Sequence, residues 1–284
     1  MKAIDKKQHI LKTNSSEIRK TLLSLDDVSP YITLNPNSIT PVLLVCDHAS
    51  NRFPKSLGTM GLDYLDRLSH ITVDIGSRAT TESLARQLNT TAILCQYSRL
   101  IVDCNRNISD NSAYLDKSDG VDIPGNQNLN DNEKEIRESE IYWPYHNAID
   151  TQISRLKRQK VSPIIISIHS FTPFFAGNKR STELGILWDS DNRLPDIFFS
   201  YLNKNYKHLN VGNNKPYTGR MKNDSLYRHG TKQGLANILI EIRQDLIIDS
   251  AKQKEFSKII AKPLLENKSN DHLFKKKFFK SLAK

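Results

Sequence analysis

Two histidines, far apart in the chain, close short runs of aliphatic and β-branched residues. His48 ends Val42-Leu43-Leu44-Val45-Cys46-Asp47-His48, and His169 ends Pro163-Ile164-Ile165-Ile166-Ser167-Ile168-His169. Runs this short and apolar predict buried strands of an α/β sheet. In open α/β sheets, sites form just beyond the carboxyl ends of strands. Two imidazoles delivered there supply two ligands of a catalytic zinc site, which takes a third protein ligand and keeps one position open. Asp74, in His70-Ile71-Thr72-Val73-Asp74-Ile75-Gly76, is the favoured third ligand. His70, four residues earlier, and Asn51, three residues after His48 and a poor zinc donor, are the alternatives.

A base and an anion clamp complete the chemistry. Glu241 lies inside Ile238-Leu239-Ile240-Glu241-Ile242-Arg243. A carboxylate in so apolar a strand is costly unless paired or functional, and desolvation would lift its pKa into the range of a general base. A buried ion pair with Arg243 is the competing reading. Arg106 ends Val102-Asp103-Cys104-Asn105-Arg106, and a guanidinium suits bidentate grip of a carboxylate; a structural pair with Asp103 is equally open. Cys46 and His48, two apart on one strand, form a rival nucleophilic pair. Ser170, adjacent to His169, points oppositely in a strand. The chain holds no Gly-x-Ser-x-Gly elbow, P-loop or dinucleotide fingerprint.

The elements that must carry these residues follow from patterning. Strands are expected at 42–47, 92–96, 100–104, 163–168, 184–188 and 236–242. Helices are expected at 62–70, 76–89, 133–158 with an interruption at Pro144, 193–204 and 249–266. Asn14 to Glu17 has capping-box spacing, followed by Ile18, Leu22 and Leu25 on one face, which predicts a short docking helix. Residues 211–220 read as turn-rich loop. Residues 107–132, rich in Asn, Asp, Ser and Gly, are a long loop whose two readings are a lid and a surface insertion. Strands alternating with helices give an α/β class with a mixed, mostly parallel sheet in one domain.

The bulk numbers exclude several classes. A chain of 284 residues buries a core without disulfide or metal staples. Its net charge of +10 invites a nucleic-acid partner, but residues 250–284 alone carry ten lysines against Glu255, Glu266 and Asp271. That concentration reads as a solvated helix face and tail rather than a nucleic-acid or membrane patch. Three cysteines, Cys46, Cys95 and Cys104, all in apolar contexts, suit reduced thiols. Met1 to Leu25 lacks a signal-peptide core, and no apolar run approaches the roughly 18 residues of a membrane span. The expectation is a soluble cytoplasmic protein.

Taken in order, several segments resemble the N-formylglutamate amidohydrolase family. They are Cys46-Asp47-His48-Ala49-Ser50-Asn51, His70 to Gly76, and Ser98-Arg99-Leu100-Ile101-Val102-Asp103-Cys104-Asn105-Arg106. They continue with Ile123-Pro124-Gly125-Asn126, Pro144-Tyr145-His146, Ser167-Ile168-His169-Ser170-Phe171-Thr172-Pro173, Asn214-Lys215-Pro216-Tyr217-Thr218-Gly219 and Glu241-Ile242-Arg243-Gln244-Asp245-Leu246. The family is similar in fold to zinc carboxypeptidases and aspartoacylase-like deacylases. The resemblance implies a single-domain three-layer sandwich around a mixed, mostly parallel sheet. It also implies one zinc per chain on His48 and His169, carboxylate binding by Asn105 and Arg106, Glu241 as base and Tyr217 as a substrate contact. Arg243 is a second arginine for the carboxylate. The carboxypeptidase pattern has Glu three residues after the first His; this chain has Asn51, which leaves Asp74 as the third ligand. The implied reaction is hydrolysis of N-formyl-L-glutamate to formate and L-glutamate. Another carboxylated substrate, or a catalytically silent binding protein, are the alternatives. The matched region defines an arm at 1–29, a catalytic domain at 30–266 and a basic tail at 267–284.

Overall fold

Short apolar runs become the strands of one seven-stranded sheet in the computed structural model, which describes residues 21–175 and 177–284. The strands are β1 (Tyr31–Leu34), β2 (Val42–Cys46), β3 (Thr91–Cys95), β4 (Ile164–Phe171), β5 (Leu184–Leu187), β6 (Val211–Asn213) and β7 (Asn237–Arg243). Their spatial order is β1-β3-β2-β4-β7-β5-β6. Strands β3, β2, β4 and β7 run parallel, while β1 is antiparallel to β3 and β5 is antiparallel to β7. The carboxyl ends of the four central strands therefore share one edge of the sheet.

Side-chain alternation builds two cores. Leu44 and Cys46, Ile166 and Ile168, Ile238, Ile240 and Ile242 face α1 (Ser77–Leu88), and with it two helices that follow later in the chain. On the other face, Leu43, Val45 and Ile165 pack under residues 97–104 and a helical segment formed by α2 (Asp131–Arg137), a π turn at Glu138–Tyr142 and α3 (Trp143–Lys157). The first core is closed by α4 (Arg193–Asn205) and α6 (Ser250–Glu266); the short α5 (Ser225–His229) sits near β4 and β7 on the second face. Each buried aliphatic side chain contributes roughly 1.5–3 kcal/mol, which makes the register of these strands hard to slip. The result is the expected three-layer α/β sandwich with a mixed, mostly parallel sheet.

Several elements differ from their sequence expectation. Residues 62–70 form turns with a single 3-10 turn at Asp66–Leu68. Residues 100–104 are buried but are not a strand. Their carbonyls are met by side chains, Asn126 Nδ2 on Leu100 O at 2.7 Å and Arg137 Nη1 on Ile101 O at 2.9 Å, so no ladder forms. Residues 211–220 include the edge strand β6. Pro144 does not break its helix: the backbone stays helical through Tyr142 and Trp143, and the π turn at Glu138–Tyr142 directly precedes the first turn of α3 that holds the proline. Part of the expected docking helix lies outside the described residues; from Thr21 the chain is turns, with Leu22 N held by Glu140. Residues 267–284 run along the body with their lysines exposed, while Leu273 is buried and Lys277 N donates to Gly234 O at 2.8 Å. Among the described residues no helix is long and apolar enough to cross a membrane.

Candidate functional site

The sheet edge brings His48 and His169 together. Strands β2 and β4 pair with Val45 opposite Ser167, so the residues two further on, Asp47 and His169, stand side by side as β2 ends. The two imidazole centroids are 4.8 Å apart. Asp74 reaches them from the turn before α1, where its backbone N donates to His48 O at 3.1 Å. That turn closes through Gly76 at φ +81°, packed on the Ile247 carbonyl, where a side chain would not fit. Asp74 Oδ2 lies 2.8 Å from His169 Nδ1 and 3.3 Å from His48 Nδ1. One donor atom from each of His48, Asp74 and His169 falls within 4.8 Å of the others, and all three residues are buried.

Each imidazole is also held from behind. His48 Nε2 donates to Asp103 Oδ1 at 2.7 Å, and His169 Nε2 to Asp47 Oδ2 at 3.0 Å. Arg99 links the two layers, with Nη2 on Asp103 Oδ2 at 2.7 Å and Nη1 on Asp74 Oδ1 at 3.4 Å. Ser225 Oγ donates to Asp47 Oδ1 at 2.5 Å. Burial alone would raise the carboxyl pKa values, but neighbouring positive charge and hydrogen bonds outweigh it. His48 and His169 hold Asp74 well below the carboxylate range, Arg99 and His48 do so for Asp103, and His169 for Asp47. Burial would likewise lower His169, yet the bonds to Asp47 and Asp74 push it well above its ordinary value.

Glu241 lines the same cavity, which has a volume of about 260 Å³. It sits opposite His169 on one side and Gly185 on the other, and a side chain at Gly185 would press on the Glu241 Cβ. Its Oε2 is buried without a hydrogen-bond partner among the described residues. Desolvation pushes its pKa to about 7. The ion pair with Arg243 does not form. Arg243 is instead engaged by Asp245 at 2.8 Å and Glu183 at 3.4 Å and is not part of the cavity wall, a correction to its expected place beside the substrate. Asn105, Arg106 and Tyr217 do line it. Asn105 Oδ1 accepts from Ser225 N at 3.3 Å, and Arg106 Nη1 donates to the Asn105 carbonyl at 2.9 Å, not to Asp103. The Tyr217 hydroxyl accepts from Arg180 at 2.8 Å.

The remaining alternatives separate cleanly. His70 lines the cavity but stands 3.1 Å from Asp119. Asn51 turns away to the Arg67 carbonyl at 2.9 Å. Cys46 faces the α1 core because β2 ends there and the period-two rule stops before His48; burial pushes its thiol up to about 12, far from a nucleophilic thiolate. Leu115 and Ser118 of the long 107–132 loop reach the cavity. Sequence reasoning missed Asp47, Arg99 and Asp103 as supports and Asp224 as a wall residue. Arg99 and Asp103, four apart in one matched segment, were the legible signal. Asp224, buried at the start of α5, has its pKa raised by burial to about 7.

Residues 40–248 match the sequence model of a family described as N-formylglutamate amidohydrolase. The chain is 32% identical to a gene product of Agrobacterium tumefaciens of known crystal structure, with a TM-score of 0.84 over 88% of this chain and 99% of that one. It also resembles in fold the N-formylglutamate amidohydrolase of Ralstonia eutropha JMP134, at 16% identity and a TM-score of 0.59, over 86% of this chain and 99% of the other. No curated protein sequence matches.

Proposed function

This chain belongs to the N-formylglutamate amidohydrolase family, a family of amide hydrolases, and from that premise we propose that it deacylates an N-acyl amino acid with the help of one zinc ion. The proposed substrate is N-formyl-L-glutamate, cleaved to formate and L-glutamate. The observation that carries this reading is the convergence of His48, Asp74 and His169 in one cavity with Glu241, whose buried Oε2 has no hydrogen-bond partner among the described residues. The donor set fits the ion: two imidazoles and a carboxylate leave a fourth position open, and each imidazole has its other nitrogen bound to a carboxylate, which orients a ligating histidine. Bound there, zinc supplies Lewis-acid polarisation of the acyl carbonyl and a lowered pKa for water.

The chain's own groups divide the remaining work. Glu241 takes a proton from the attacking water and returns it to the amide nitrogen as the C–N bond breaks. The water oxygen leaves in formate, and the nitrogen becomes the amino group of glutamate. Arg106 binds a substrate carboxylate and, with Asn105 and Tyr217, aligns the scissile bond. Asp47 and Asp103 keep both imidazoles in the ligating tautomer. We assign the enzyme to the cytoplasm, because its three cysteines, Cys46, Cys95 and Cys104, are few and buried in the apolar cores, as suits thiols with packing roles.

Metal analysis beside a formate-release assay tests the reading. About one zinc per chain is expected in the wild type and in Glu241→Gln, and loss of the metal in His48→Ala and His169→Ala. Glu241→Gln should reduce kcat on N-formyl-L-glutamate by roughly 10²–10⁴. A wild type that releases formate after zinc is stripped would sink the proposal.

A further inference from the structure

The outer wall of the cavity includes a loop, residues 214–224, that supplies Tyr217, Thr218, Met221 and Asp224. Its first half is anchored to the sheet. Asn214 N donates to Ile186 O at 3.0 Å, and Asn214 Oδ1 accepts from Trp188 N at 3.0 Å and Gly219 N at 2.9 Å. Its second half has a different anchor. Lys284 N donates to Arg220 O at 3.2 Å, and Lys222 N donates to Lys284 O at 3.1 Å. One residue thus straddles Met221 in the bonding pattern of a parallel β pair. Two residues before it, Leu282 N donates to Asp189 Oδ1 at 2.7 Å. Asp189 is 3% exposed and its Oδ2 has no partner among the described residues, so the Leu282 amide answers an otherwise costly buried carboxylate. The path leading here is pinned too, with Arg193 Nη1 donating to Lys275 O at 2.6 Å.

We propose that residues 281–284 are a positioning strap that holds the Met221 side of the substrate cavity, and so set affinity for substrate rather than the rate of bond cleavage. These residues lie outside the span 40–248 that matches the family. Their bonds are made by backbone amides and carbonyls, so the strap tolerates any side chain and fails where an N–H is removed. The substrate consequence rests on the amidohydrolase reading above; the mechanical part does not.

The test compares the full chain with a deletion of 281–284, with Leu282→Pro, which removes the donated N–H, and with Leu282→Ala, which keeps it. Leu282 is 49% exposed, so the alanine variant loses little packing. Hydrogen–deuterium exchange at 219–223, the melting temperature, and KM and kcat on N-formyl-L-glutamate are read together. The expected result is exchange at 219–223 faster by about tenfold or more in the deletion and in Leu282→Pro, with α1 and α6 protection retained. KM should rise on the order of tenfold with kcat within about twofold, and Leu282→Ala should behave as wild type. Unchanged exchange in the first two variants overturns the strap. So does exchange raised throughout the molecule with kcat and stability falling together, which is a general loss of folding. A wild type that releases no formate, with exchange still raised only at 219–223, overturns the substrate reading and upholds the strap.

Discussion

Arg99 is the residue on which the site's geometry turns. It bonds Asp74, which touches both imidazoles, and Asp103, which orients His48. Removing its fork frees both carboxylates at once. Arg99→Met is expected to weaken zinc binding by roughly 10–100-fold, measured by chelator competition. Arg99→Lys should recover little of this, because one ammonium cannot reproduce two directed bonds. Cys46 makes the opposite case. Its buried thiol, pushed up to about 12, faces the α1 core. Cys46→Ala should cost about 1–2 kcal/mol of stability by leaving a small void, with kcat within threefold. A loss of activity beyond that would revive the cysteine nucleophile.

At the scale of elements, the site depends on how strands end. Glu241 and His169 are registered neighbours on β7 and β4, so their separation is set by the sheet and not by loop conformation. Asp74 depends on a turn, and that turn depends on Gly76. With φ at +81° and the Ile247 carbonyl against its missing side chain, Gly76→Ala is both strained and crowded. It should lose roughly 2–4 kcal/mol in urea denaturation and weaken zinc binding in parallel, because Asp74 moves with the turn. Unaltered metal affinity in a destabilised Gly76→Ala would mean that Asp74 is placed by its side-chain bonds to Arg99 and the Ser170 amide rather than by the turn. The 107–132 loop, with its 3-10 turns and the short ladder Lys117–Ser118 with Val121–Asp122, is tied to the body through buried Asn126. The two residues it contributes to the cavity are held within the loop, Leu115 through its carbonyl on Asn126 Nδ2 and Ser118 by pairing with Val121, while Asn126 ties the loop to the Leu100 carbonyl.

Across the whole molecule, protons and metal should be linked to stability. In metal-free protein, Glu241 and Asp224 have folded pKa values near 7 against ordinary values of 4.5 and 3.8. The folded state therefore keeps protons that the unfolded chain releases. Stability from these groups is full below about pH 4 and is lost as pH rises through about 7. His169, raised above 6.5, adds to the decline above that pH. Asp47, Asp74 and Asp103 are depressed and act in the other sense, losing stability only as pH falls below about 4. Thermal melts in chelator should thus fall between pH 5 and 8, with a change on the order of 5 kcal/mol from the two carboxyls together. The double variant Glu241→Gln, Asp224→Asn should flatten that slope. Zinc at a hundredfold over its Kd should add about 2.7 kcal/mol to the wild type; a melt indifferent to zinc would contradict the proposed site.

What the sequence by itself determined was the set of central strands and the residues at their tips. Runs such as Ile164-Ile165-Ile166 declare burial locally, because each residue's preference for the core needs no knowledge of its partner. His48, His169 and Glu241 were legible for that reason, as polar residues set in such runs. Tertiary structure alone decided the pairings. It matched Arg243 to Asp245 and Glu183, His70 to Asp119, and Asp47 and Asp103 to the backs of the two imidazoles. It also turned 100–104 from an expected strand into a buried turn satisfied by Asn126 and Arg137. Charge pairing acts between residues brought close only when the chain closes, so residue type and spacing state that a partner is needed without stating which one.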